Sequence, residues 1–167
     1  MITDPFLGIW LLVASVNYTS NLEFIDGRPD PMGVVNWLNN KDNNFIADIT
    51  PAEGLTLIIT EEGFREEKTG EPTIKWFNAM GELSSVQPFQ GRLSICRSKI
   101  YLIVDDIPHW SKHPSKEGRL KYRYADGDTI ISDMLEIRDE KLVRTVNVVT
   151  DSMHFDRVII VYKKVKQ

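Results

Sequence analysis

Turn signals recur along the chain at intervals that leave room only for short extended segments between them. Examples are Asp26-Gly27, Glu53-Gly54, Glu62-Gly63, Gln90-Gly91 and Asp126-Gly127. No segment repeats its apolar residues with helical periodicity over three turns or more. A chain that reverses direction this often, with few or no helices, is expected to form a β-sandwich or a β-barrel.

The runs between these turns have the length and composition of β-strands. At most one or two short helices fit among them, within 19–31 or around 108–116. The predicted strands are Phe6–Val16, Gly33–Leu38, Phe45–Thr50, Leu55–Thr60, Thr73–Asn78, Arg92–Arg97, Ile100–Val104, Arg119–Tyr124, Thr129–Ile137, Leu142–Thr150 and Phe155–Lys164.

The last third of the chain gives the clearest pattern, four strands joined by tight turns. A hairpin at Asp126-Gly127 joins the first two strands, and Asp139-Glu140 joins the next two. Each strand alternates between an apolar and a charged or polar face. The apolar faces carry Leu120, Tyr122 and Tyr124, then Ile131, Leu135 and Ile137, then Leu142, Val146 and Val148. We therefore predict an all-β, antiparallel up-and-down barrel of eight to ten strands, with residues 1–167 as a single domain.

Two charged residues interrupt these apolar faces, Asp133 and Arg144, on neighbouring predicted strands. One interpretation is that the assumed register is off by one residue, or that the pair lies at the mouth of the barrel. The other is a polar anchor inside a ligand cavity. A charge in an apolar cavity is costly unless it is paired, so such a pair would need a purpose.

Charge and cysteine content exclude several classes of function. The net charge is −4 and the pI is about 5.4, so we expect neither a nucleic-acid nor a membrane-surface partner. Cys96 is the single cysteine, which excludes an intramolecular disulfide and a cysteine-based zinc site and favours a reducing, cytoplasmic location. The apolar run Phe6–Val16 is too short to span a bilayer and follows no basic segment, so we interpret it as a buried strand.

The segment Phe6-Leu7-Gly8-Ile9-Trp10 resembles the F-x-G-x-W signature that opens the first strand in lipocalins and fatty-acid-binding proteins. Pro31-Met32-Gly33-Val34-Val35-Asn36-Trp37 is similar to the entry of the second strand in bacterial lipocalin-like domains. The resemblance to this calycin superfamily implies a closed barrel end filled by Trp10, with Gly8 letting the chain pass beneath it. It also implies that Arg157, in the last strand, stacks across Trp10.

Two departures from the superfamily pattern argue against simple carriage of fatty acids. Thr150-Asp151-Ser152 retains only the first two residues of a Thr-Asp-Tyr signature. An Arg-x-Tyr carboxylate clamp is absent, because Tyr162 lies five residues beyond Arg157 and so on the opposite face of the strand.

His109 and His113 have a spacing that would suit a metal on a helix, with Asp105 and Asp106 upstream as further ligands. Flanking prolines favour a loop, which could serve as a lid over the barrel mouth. We predict no metal and no cofactor. The candidate catalytic residues are His109, Asp133, Tyr122 and Tyr124.

Aromatic residues spread over different strands could line a pocket for a flat or polycyclic apolar molecule, or could simply pack the core. The candidate ligand-binding residues are Trp37, Trp76, Tyr101, Trp110, Tyr122, Tyr124, Met134 and Arg144. The first functional hypothesis is binding of a small hydrophobic molecule by a monomer or homodimer. The second is a cofactor-independent cyclase, isomerase or lyase using the same cavity. A third is a chromophore-handling protein resembling bilin lyases, whose N-terminal pattern this sequence does not show.

Overall fold

The computed structural model describes residues 4–21, 50–71, 75–77, 83–85, 88–96, 99–104, 111–114, 120–124, 127–150 and 154–165. They contain a 3₁₀ turn at Asp4–Phe6 and thirteen strands. The strands are β1 Gly8–Asn21, β2 Thr50–Pro51, β3 Leu55–Thr60, β4 Gly63–Lys68, β5 Lys75–Phe77, β6 Leu83–Ser85, β7 Gln90–Cys96, β8 Lys99–Val104, β9 Ser111–Pro114, β10 Leu120–Tyr124, β11 Gly127–Arg138, β12 Lys141–Thr150 and β13 His154–Lys164.

Eight of these strands close into an antiparallel barrel, which confirms the predicted fold class. The ring runs β12–β13–β1–β3–β4–β7–β8–β11 and returns to β12 through the β11–β12 pairing. Strand β2 adds to β1, and the β9–β10 hairpin adds to β11. Strands β5 and β6 form a separate two-stranded sheet. Closure leaves no open sheet edge around the ring.

The predicted meander of the last third is present, with two corrections. Tyr124 pairs with Gly127, so Gly127 belongs to strand β11 and is not the turn residue that we predicted. Ser111–Pro114 is a strand paired with β10, although we had expected a loop or a short helix around it. The predicted strands at Gly33–Leu38 and residues 45–49 lie outside the described residues.

Strand β4 was missed by the sequence analysis. Its sequence, Gly-Phe-Arg-Glu-Glu-Lys, has charged residues at four successive positions and so lacks the visible alternation of a half-buried strand. In the structure Phe64 and Glu66 are buried, whereas Arg65 and Glu67 are exposed. Burial of Glu66 inside the barrel completes the alternation.

A β-bulge at Val13 reverses the two faces of β1. Leu12 pairs with Tyr162 on the inner side, and the next pair, Ala14 with Val161, lies on the outer side. Both faces of the β1–β13–β12 wall carry buried apolar residues. The inner core includes Leu12, Leu57, Leu102, Leu135, Leu142 and Tyr162, while the outer cluster is Ala14, Val16, Val143, Ile159 and Val161.

Trp10 is buried at one end of the barrel, which we call the closed end. Its indole Nε1 donates a hydrogen bond to the Phe6 carbonyl oxygen of the 3₁₀ turn at 2.9 Å. Lys164 pairs with Trp10, and the Lys164 Nζ lies 5.4 Å from the ring centroid. The backbone of Gly8 makes room for Lys164, because a Cβ there would lie 3.1 Å from the Lys164 Cε.

The prediction that Arg157 stacks on Trp10 is therefore wrong. Arg157 pairs with Tyr18, far along β1 from Trp10, and belongs to the outer face together with Ile159 and Val161. Its Nε donates to Asn147 Oδ1 at 2.6 Å. The cation over Trp10 is Lys164, seven residues later in the same strand.

Candidate functional site: an arginine held between two carboxylates inside the barrel

The most unusual feature of the barrel interior is a fully buried arginine held by two carboxylates. Arg144 donates from Nε to Asp133 Oδ1 at 2.9 Å and from Nη2 to Asp133 Oδ2 at 2.6 Å. Its Nη1 donates to Glu66 Oε1 at 2.5 Å. The side chains of all three residues are at most 5% exposed. We call Glu66, Asp133 and Arg144 the buried triad.

Two different parts of the fold bring the triad together. Asp133 and Arg144 lie on the neighbouring strands β11 and β12, where Asp133 pairs with Val146 and Arg144 with Leu135. Glu66 comes from β4, which is four strands from β12 in either direction around the ring. The Arg144–Glu66 ion pair therefore spans the interior of an eight-stranded barrel, a size that side chains can cross and that can hold one small ligand.

Further contacts fix the orientation of the triad. Glu66 Oε2 accepts a hydrogen bond from the backbone N–H of Phe89 at 3.2 Å, and the Glu66 N–H donates to the Phe89 carbonyl oxygen at 2.7 Å. The Arg144 guanidinium carbon lies 5.9 Å from the centroid of the Phe64 ring. The Tyr162 side chain, on β13, is close enough to Arg144 for the two to interact electrostatically. Every oxygen of the two carboxylates thus has a donor.

Burial and charge act in opposite directions on the triad. Burial raises the pKa of Glu66 and of Asp133, and the attraction of Arg144 only partly opposes this. Burial by itself would lower the pKa of Arg144, but Asp133, Tyr162 and Glu66 raise it above its ordinary value, so the guanidinium stays charged. Burial also raises the pKa of Tyr162, which stays protonated at neutral pH.

A second group of polar side chains lies on the inner face, toward the end of the barrel away from Trp10. It contains Ser15, Thr129 and Asp156, all buried. The Thr129 hydroxyl has no hydrogen-bond partner within the described part of the chain. The Thr145 hydroxyl is also buried and unpartnered, but Thr145 pairs with Ile159 and so belongs to the outer face.

The structure resolves the two interpretations of Asp133 and Arg144. Both residues face inward, as the alternation predicted, and Asp133 lies near the middle of β11. A shift of register and a position at the mouth are both excluded by this placement. The Arg-x-Tyr clamp predicted to be absent is indeed not formed by Arg157 and Tyr162, but Tyr162 contacts an arginine from another strand, Arg144.

Two predicted ligand-binding residues face outward. Tyr101 pairs with Met134 in the β8–β11 register, and both alternate with inner-core residues. Ile100 and Leu102, on either side of Tyr101, belong to the inner core. Tyr101 and Met134 are therefore on the outer surface of the barrel wall, and their prediction as cavity residues is wrong.

The remaining predicted residues are placed only in part. Tyr122 and Tyr124 lie on β10, where Tyr122 pairs with Thr129. Trp76 lies on β5, in the separate hairpin with β6 and not in the barrel ring. Trp37, His109 and Trp110 fall outside the described residues. Within the described ranges no cluster of three His, Cys, Asp or Glu side chains has a metal-binding arrangement.

Sequence reasoning missed Glu66, although one signal pointed to its strand. The predicted strand Leu55–Thr60 is followed directly by the turn Glu62-Gly63, and a hairpin requires a returning strand over the next six residues. That strand would place Phe64 and Glu66 on one face. The apolar Phe64 would then have indicated which face is inward.

The comparisons with known proteins do not assign this chain to a family. No family model matches the chain, and no curated protein matches it. A solved structure with some similarity is the S-type phycobiliprotein lyase CPES from Guillardia theta, at 8% sequence identity and a TM-score of 0.28. That alignment covers 98% of this chain and 90% of the lyase.

Within the described part of the chain no helix is long and apolar enough to cross a membrane. The closed barrel of eight antiparallel strands is consistent with a calycin-like fold.

Proposed function

We propose that this protein is a lipocalin-like binding module that holds a small hydrophobic molecule inside its barrel. The observation that carries the proposal is the buried triad. Replacing a buried ion pair with well-packed apolar residues is often neutral or stabilising, so stability alone gives little reason for three charged groups at this depth. A binding role gives such a reason, because a few precisely placed polar groups in an otherwise apolar lining give a binding site its specificity.

The inner face suggests where the ligand lies. The triad crosses the barrel and forms a polar layer, with the apolar closed end around Trp10 at one extremity of the interior. Thr129 lies near the start of β11, toward the other end, and its hydroxyl has no partner among the residues that the structure describes. A buried hydroxyl without a partner loses free energy that a ligand can restore. We place the ligand at this end, in contact with Thr129.

The test uses N-phenyl-1-naphthylamine, an uncharged aromatic probe whose fluorescence rises in apolar surroundings and whose N–H can donate to a hydroxyl. We expect saturable binding to the full-length protein. Thr129→Val should weaken it about fivefold, equivalent to about 1 kcal/mol for one lost hydrogen bond. Thr145→Val is the matched control, since Thr145 is an equally buried threonine on the outer face, and it should leave the affinity unchanged. Absence of saturable binding, or equal affinities for both variants, would refute the proposal.

A cofactor-independent isomerase, cyclase or lyase is the second candidate, and one observation favours it. Glu66 and Asp133 are carboxyl groups whose pKa burial raises, a property common among acid–base catalysts. Native mass spectrometry of wild type and Glu66→Gln, purified from the same host, separates the candidates. A binding protein retains the same molecule in both. An enzyme releases its product, so a bound substrate accumulates only in Glu66→Gln.

A further inference from the structure

The charges inside the barrel limit what kind of molecule it can hold. Among the described residues, four charged side chains are buried: one cation, Arg144, and three carboxylates, Glu66, Asp133 and Asp156. All four lie on the inner face, since Asp156 shares the parity of Val158 and Ile160 in β13. Lys164 is exposed at the closed end, beyond Trp10.

Arg144 has almost no capacity left to bind another anion. A guanidinium has five N–H donors. Three of them serve Asp133 and Glu66, and the side chain of Tyr162 lies close to the same guanidinium. An anionic ligand would have to displace one of these carboxylates, which would then be buried without its partner.

The net charge of the triad leads to the same conclusion as long as at least one of its two carboxyl groups is ionised. With both carboxylates ionised the triad carries one negative charge, and with one of them protonated it is neutral. Neither state leaves a positive charge for a ligand, and Asp156 is a further acidic residue on the same face, four positions along β13 from Ile160, the partner of Arg144. Like charges brought together in a desolvated site repel each other strongly.

We infer that the ligand carries no negative charge: it is an uncharged or cationic apolar molecule, and carboxylates such as fatty acids are rejected. This inference rests on the proposed binding function and specifies the class of ligand for that site. It also explains why the barrel can contain an arginine and a tyrosine in contact without being a carboxylate carrier.

The experiment displaces bound N-phenyl-1-naphthylamine with three compounds that share a twelve-carbon chain and differ in head group: dodecanol, dodecylamine and dodecanoate. Near pH 7 we expect dodecanol and dodecylamine to displace the probe at concentrations about tenfold lower than dodecanoate. Asp156→Asn should reduce, several-fold, the gap between the concentrations at which dodecanoate and dodecanol displace the probe. Asp139→Asn makes the same change in net charge on the exposed β11–β12 turn and should leave the gap unchanged. Asparagine also tolerates the positive φ of 52° at that position.

The possible outcomes separate this inference from the binding function. If the probe binds and dodecanoate displaces it as well as dodecanol does, the charge inference fails and the binding function stands. The charge inference also fails, and the binding function stands, if Asp156→Asn and Asp139→Asn show the same preference for dodecanol over dodecanoate. If the probe does not bind at all, the binding function fails and the inference fails with it.

Discussion

Arg144 and Asp133 lie on adjacent strands and share two hydrogen bonds inside the barrel, Nε to Oδ1 at 2.9 Å and Nη2 to Oδ2 at 2.6 Å. Paired hydrogen bonds of this kind fix the direction of the guanidinium as well as its charge. The remaining nitrogen, Nη1, is directed at Glu66 across the barrel. The side chains of three strands thus form one polar layer.

Removing the cation of this layer should destabilise the fold strongly. We expect Arg144→Met to lower the free energy of unfolding by about 3–5 kcal/mol, because two buried carboxylates lose their partner. Arg65→Met is the matched control. It removes an arginine paired with Glu67 on the surface, where both side chains are about half exposed, and should cost less than about 1 kcal/mol. Urea unfolding at neutral pH measures both changes.

The loss in Arg144→Met should be recoverable if charge is its cause. Adding Asp133→Asn and Glu66→Gln to that variant removes the two unpaired carboxylates and should restore a large part of the stability. A triple variant as unstable as Arg144→Met alone would instead identify lost packing as the cause.

The stability of the fold should also depend on pH through Glu66. Burial raises the pKa of this carboxyl above its ordinary value of 4.5, so the folded state holds the proton more tightly than the unfolded chain does. Its contribution to stability is complete below pH 4.5 and is lost as the pH rises through the folded-state pKa. The unfolding free energy of wild type relative to Glu66→Gln should therefore fall as pH rises above that value.

Urea unfolding of wild type and Glu66→Gln across this pH range measures that fall. Glu67→Gln, on the exposed face of β4, is the control. A difference between wild type and Glu66→Gln that does not vary with pH would contradict the assignment.

The closed end of the barrel should depend on the Trp10 side chain. We expect Trp10→Ala to cost about 3–5 kcal/mol, as for other large buried aromatic residues. A thermal melt close to that of wild type would contradict its placement in the core.

A double-mutant cycle tests which cation lies over Trp10. Trp10→Leu and Lys164→Met should show a coupling energy of about 0.5–1 kcal/mol, the usual size of an exposed cation–π contact. The cycle of Trp10→Leu with Arg157→Met should show none, because Arg157 bonds Asn147 on the outer face. A coupling found only with Arg157 would return the contact to the position that the resemblance implied.

Gly91 should tolerate no side chain, because β8 and Phe64 occupy the space where one would lie. A Cβ at this position would collide with the carbonyl oxygen of Ile103 and lie 3.0 Å from the Phe64 ring. We expect Gly91→Ala to cost about 1–3 kcal/mol or more, since the clash is with backbone. A Cβ at Gly70 would make only an ordinary contact at 3.8 Å with Gly54, so Gly70→Ala should stay within about 0.5 kcal/mol of wild type. Thermal melts of the two variants compare them, and equal melting temperatures would show that β7 and β8 can separate.

Ligand binding by the two tyrosines of β10 remains a prediction from the sequence. Tyr122→Phe and Tyr124→Phe should weaken binding of N-phenyl-1-naphthylamine and leave the urea midpoint almost unchanged, since each removes a hydroxyl and keeps the ring. If both variants bind the probe like wild type, the inward assignment of this strand is wrong. The cytoplasmic location and the monomeric or dimeric state also remain predictions.

Several assignments could be made from the sequence because they depend on local patterns. Tight turns and alternation over β10 to β13 predicted the meander and placed Asp133 and Arg144 on the apolar face. Other assignments failed where alternation gives no signal. Both faces of β13 are apolar around Ile159 and Ile160, so nothing in the sequence shows that Arg157 faces outward. Tyr101 is likewise flanked by apolar residues, so the sequence does not show which way its side chain faces.

Period-two patterns and turn residues act over a few positions, so they were enough to predict an antiparallel barrel and to put two opposite charges on its apolar strand faces. What those charges contact depends on how distant strands meet. Glu66 lies 78 positions from Arg144 in the sequence and reaches it only because barrel closure brings β4 opposite β12. Closure likewise placed Lys164, not Arg157, over Trp10, since the pairing of the last strand with the first is set by register across the whole chain.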